Sequence, residues 1–185
     1  MLQNSIYVLL NYHIWVNVMG IVIPVYKIDD VEFVKKVLAI KGEALKLGKQ
    51  LIDAKELVVR PLRPADFGLA VNEWTFSVSA GENTIVSTTL DDKTLVVVYG
   101  IYNLSTSPAT TEVIFGTTAK VVEDVYVEDM YLYDVKATLL DEPVVFQPGS
   151  SPLIKIIAKD ANTAEKVAFL GFVIEPAGRR IGSSG

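Results

Sequence analysis

The chain of 185 residues has no cysteine and one histidine, His13. The first absence excludes disulfide frameworks, thiolate metal sites and cysteine nucleophiles. The second removes most zinc sites and most imidazole acid–base chemistry. Phosphate-cradling glycine loops of the G-x-x-x-x-G-K and G-x-G-x-x-G types are missing. So is a G-x-S-x-G nucleophile elbow, and His13 reads as a buried or interfacial side chain rather than a base. These absences point away from an enzyme and from any bound cofactor or metal.

Charge is also absent from the first 26 residues, up to Lys27. Ten Ile, Leu and Val residues fall within residues 6–23, equivalent to about −3 to −6 kcal/mol on the membrane-insertion scale. Asn11, His13 and Asn17 sit in the middle of that run and Pro24 near its end, which offsets most of the gain. A cleavable signal would need a basic start and a small-residue cleavage site, and neither is visible. The expectation is therefore a strand arm over residues 1–28, rich in β-branched and aromatic residues, with membrane contact by residues 5–25 as the alternative. Met19 is a second candidate start, which would leave residues 1–18 outside the native chain.

What is present is ample apolar material, 50% of residues, with 21% charged. Residues 1–63 and the tail carry eleven Lys/Arg against six Asp/Glu, whereas residues 64–178 carry six against sixteen. Such a split suits an anionic partner at the front of the chain, or the acidic body of a neighbouring copy. Residues 29–57 predict an amphipathic helix capped by Asp29 or Asp30, with Val31, Leu38, Leu45 and Ile52 recurring every seven residues. Lys35, Lys36, Lys46 and Lys49 lie away from that stripe, and Gly42 and Gly48 suggest a kink or two shorter helices. Residues 58–72, punctuated by Pro61, Pro64 and Gly68, read as an ordered linker in which Arg60 and Arg63 meet carboxylates.

Over residues 73–176, turn residues recur at spacings near ten around short β-branched runs. That pattern predicts an antiparallel β-sandwich or jelly roll of about eight strands, preceded by the helix and the strand arm. Two strands are apolar on both faces, LVVVY at 95–99 and VAFLGFVI at 167–174. A sheet with one wet face cannot hide both, so the helix, the arm or another subunit must cover them. Self-association follows, with Val167, Phe169, Phe172 and Ile174, Trp15 of the arm, Lys35 and Lys46 of the helix, and Arg179 and Arg180 of the basic tail (177–185) as expected interface residues.

Glu123, Asp124, Glu128, Asp129 and Asp134 form the richest acidic stretch, which could hold calcium or, through Asp129 and Asp134, act as an acid–base pair. Their alternation with Val125, Tyr126, Val127, Tyr131 and Tyr133 reads instead as edge charge between core residues. Tyr99, Tyr102, Tyr126, Tyr131 and Tyr133 could stack on sugar. The acidic body is unsuited to direct reading of nucleic acid.

The layout of arm, linker and eight or more strands in an acidic, motif-poor body resembles the single jelly-roll proteins of viral particles, over residues 73–175. That resemblance implies a sandwich whose work is assembly, in a virion or inside a cell, with homo-oligomers or other virion subunits as partners. It transfers no site residue. The low amide count, three Gln and seven Asn, agrees with a thermophilic source.

Overall fold

The computed structural model describes residues 23–24, 31–70, 73–128, 130 and 135–178. Trp15, Asp129, Tyr131, Tyr133, Asp134, Arg179 and Arg180, together with most of the expected arm, lie outside the described residues. In chain order the elements are β1 (Ile23–Pro24), α1 (Val31–Leu51), β2 (Leu57–Pro61), a 3-10 turn (Pro64–Phe67), β3 (Thr75–Val78), β4 (Gly81–Ser87), β5 (Leu95–Asn103), β6 (Thr110–Thr117), β7 (Val121–Tyr126), β8 (Ala137–Phe146), β9 (Pro152–Ala158) and β10 (Asn162–Pro176).

The strands form two antiparallel sheets. One runs β1-β8-β5-β10-β2, with β3 also on β10, and the other runs β4-β9-β6-β7. The pairs are nested: β3 with β10, β4 with β9, β5 with β8, and β6 with β7. A long antiparallel hairpin wound on itself, so that β10 also meets β5 and β9 meets β6, is a jelly roll. Alternation decides which side faces inward. In β9, Pro152, Ile154, Ile156 and Ala158 are buried while Leu153, Lys155 and Ile157 stay partly exposed. Inward residues of both sheets, including Val96, Val98, Val113, Phe115, Phe146, Val167, Phe169 and Val173, make the main core. Within it Phe115, Phe169, Trp74, Phe67 and Phe146 form a chain of edge-to-face contacts with centroids 5.1–6.2 Å apart.

The helix is one uninterrupted element of 21 residues, not two. It lies on the outer face of the six-stranded sheet, where Ala44 and Ile52 pack with Leu95, Val97 and Ile174. Gly48 permits that approach, since a Cβ there would stand 2.7 Å from Cγ2 of Ile174. The two doubly apolar strands are neighbours, so their ends toward the helix share this one cover. At those ends it is the chain's own helix that covers the second apolar strand.

The connection over residues 58–72 does more than link. Leu57–Pro61 joins β10 as a strand, and Phe67 sits in the core. Asp141-Glu142-Pro143, whose residue types predict a break between strands, is instead a distortion inside one continuous strand, because Val98 pairs with Val144 while Gly100 already pairs with Leu139. Gly100 and Gly171 flank the bulge at Tyr99, and a Cβ at either would come within 2.6 Å of a neighbouring strand's carbonyl oxygen.

Candidate functional site

The expected interface residues separate into three groups. Val167 and Phe169 face the sandwich interior and Ile174 lies beneath α1, so this chain's own residues already cover all three. Phe172 is partly buried on the outer face, its ring 5.0 Å from that of Tyr99. Lys35 and Lys46 are exposed and paired within the helix, to Glu32 at 2.8 Å and Glu43 at 2.6 Å. Those pairs are solvated and contribute little.

A different part of α1 is uncovered. Val31, Val34 and Leu38 recur at i, i+3 and i+7, one line on a helix surface, and are 65%, 41% and 58% exposed. The line continues into half-buried Leu45, which packs beside the core of the helix contact. Lys41 is three residues from Leu38 and four from Leu45, so it stands beside the stripe; Lys49, read from the sequence as lying away from the apolar line, is in fact four residues from Leu45 and marks its far end. Neither has an ion pair among the described residues.

On the opposite side of the sandwich, the outer face of the four-stranded sheet has no helix over it among the described residues. Val113, Phe115 and Val125 point into the core, which turns Glu112 and Ile114 of β6 and Asp124 and Tyr126 of β7 outward. In register, Tyr126 stands opposite Glu112 and Asp124 opposite Ile114. Tyr126 is 58% exposed and Val121, where β7 bulges, 64%. The Glu112 carboxyl is pushed up to about 7 by its hydrogen bond with Asp124, with burial and the Asp124 charge adding to the shift. The Glu112 carboxyl therefore keeps its proton close to neutral pH. Their negative charge in turn raises the Tyr126 phenol. Glu123 is raised as well, first by burial and then by Asp141, Glu142 and Asp124, which makes the β7–β8 margin acidic. The nearest cation in register, Lys155 beside Ile114, is held by Glu82 at 2.8 Å.

Two buried polar clusters were not legible as sites. Glu165 has no exposed surface. It accepts hydrogen bonds from the Thr110 hydroxyl at 2.7 Å, the Asn162 amide at 2.7 Å, and the backbone N–H groups of Ala109 at 3.1 Å and Thr110 at 3.2 Å. Burial pushes its carboxyl up, but these donors outweigh it and hold the pKa below the usual value. Every donor is neutral, so this carboxylate pins the loop between β5 and β6 to β10. The signal was its place two residues before Val167 and four before Phe169, on the inward face.

Arg60 is the second cluster. Its guanidinium grips Asp66 at 2.6 and 2.8 Å and Glu175 at 2.7 and 3.3 Å. Both carboxylates are buried, at 3% and 5% side-chain exposure. Burial lowers the Arg60 pKa, yet the hydrogen bonds it donates to Asp66 and Glu175, and their charges, raise it overall. The carboxylate partners expected for Arg60 are there, but in a desolvated fork that ties β2 and the 3-10 turn to β10.

The tyrosines do not form one platform. Tyr99 and Tyr102 belong to β5 of the six-stranded sheet, and Tyr126 to the other sheet. Among the described residues, no three His, Cys, Asp or Glu side chains group as a metal site, and no helix is long and apolar enough to cross a membrane. The chemistry on display is thus two uncovered apolar surfaces of opposite charge, and no family model, curated protein or solved structure matches the chain.

Proposed function

We propose that this chain is a non-enzymatic structural subunit that assembles with copies of itself, as a capsid or capsid-accessory protein of a virion does. The observation that carries the reading is the bare stripe Val31, Val34 and Leu38 on the element that sheathes the sheet. Exposed apolar lines of this kind mark contact surfaces. The nested jelly-roll winding and the pairing of β1 with β8 add support, because a strand from the leading segment adds to the sheet.

Light scattering and electron microscopy of the full chain, across a hundredfold range of concentration, test this directly. Defined oligomers or particles that grow with concentration are expected. A stable monomer throughout would overturn the assembly role. The other reading, a carbohydrate- or calcium-binding sandwich, has less support, since Tyr126 lies on a different sheet from Tyr99 and Tyr102. A thermal shift on adding calcium or glycans would favour it.

A further inference from the structure

The two bare surfaces fit each other. The α1 stripe is apolar and flanked by Lys41 and Lys49, within a helix of five lysines and two glutamates. The β6–β7 face is apolar and acidic, with Tyr126 beside the Glu112–Asp124 pair. They lie on opposite sides of the sandwich, because α1 covers the six-stranded sheet and β6–β7 belongs to the four-stranded one. One copy therefore cannot close the contact on itself.

Resting on the assembly role above, we propose that the α1 stripe of one copy docks on the β6–β7 face of the next. Val34 and Leu38 pack against Tyr126, and the Lys41 ammonium sits between the Glu112 and Asp124 carboxyl groups. Each copy then keeps one donor and one acceptor surface free. The contact is head-to-tail and propagates into a ring or filament rather than stopping at a two-fold dimer. A cation-seeking carboxyl pair also gives a reason for the clustered acids that a solvated edge does not.

Docking an ammonium group favours the ionised form of Glu112, whose carboxyl is raised to about 7. Association is therefore expected to tighten as pH rises from about 6 to 8, and to weaken with added salt. The groups facing Glu112 are Asp124 and Tyr126 from β7 and, from β9, Lys155, which Glu82 of β4 already holds. None of them supplies a free cation of its own.

The test uses full-length chains with one change on each surface, Leu38→Glu and Asp124→Lys, both at exposed positions. Circular dichroism confirms that each folds, and Lys41→Glu replaces Leu38→Glu if that variant does not. Sedimentation is expected to show each variant alone as a monomer, with association at least ~10-fold weaker than wild type. An equimolar mixture is expected to form dimers that grow no further, since intact α1 from one meets intact β6–β7 from the other. Wild-type assembly that persists unchanged in Asp124→Lys would overturn this interface while leaving the assembly role standing. A wild-type monomer would overturn both, and if that monomer floats with phosphatidylserine vesicles the stripe belongs to a lipid surface instead.

Discussion

Single carboxyl groups set the pH response of this protein in two separate windows. Glu165 is held below its ordinary value of 4.5, so its contribution to stability is complete above that pH and is lost as pH falls through the folded value. Thermal melts of wild type and Glu165→Gln are expected to converge in acid, with the variant losing about 1–3 kcal/mol at neutral pH as buried donors go unmatched. Glu112 behaves oppositely. Its carboxyl is raised to about 7, so its contribution is complete below 4.5 and lost as pH rises through 7. Glu112→Gln is expected to flatten the melting temperature between those limits. Arg60 is costly to remove because it pairs two buried carboxylates. Arg60→Ala leaves Asp66 and Glu175 buried without a cation, and urea titration is expected to show a loss of about 3–5 kcal/mol. Lysine would not restore it, since a point charge cannot serve two carboxylates bidentately.

At the scale of elements, the helix was the most legible piece, because its seven-residue recurrence survives any context. Its glycines were less so. Gly42 has nothing within 4 Å of a would-be Cβ, so Gly42→Ala is expected to raise stability by about 1 kcal/mol in a denaturant titration. Gly48 looks identical in the sequence and is different in kind, because Ile174 of β10 occupies the space. Turn punctuation in the sequence predicts strands at 94–103, 111–115 and 152–159, and β5, β6 and β9 sit close to those ranges. β8 does not, since Asp141-Glu142-Pro143 carries every mark of a turn and the chain absorbs it as an outward distortion beside β5. β2 was missed, because its five residues lie among prolines and alternate too briefly to read as a strand. Only pairing with the far end of β10 makes it one.

For the whole molecule, nested pairing joins distant residues, Thr75 with Lys166 at the outermost layer. Closing such loops precedes most of the favourable contact, so refolding followed by tryptophan fluorescence is expected to take milliseconds to seconds. The sequence alone determined the mainly β class, the sandwich, the leading helix and the split of charge, since each follows from local periodicity or a count. Tertiary structure decided that one helix shields both apolar strands, that Val167, Phe169 and Ile174 are interior, and that Glu165 and Arg60 are buried anchors. It also decided which apolar residues stay bare. Burial on the second face of a strand is fixed by what packs there, and that depends on strand order, which no local pattern encodes.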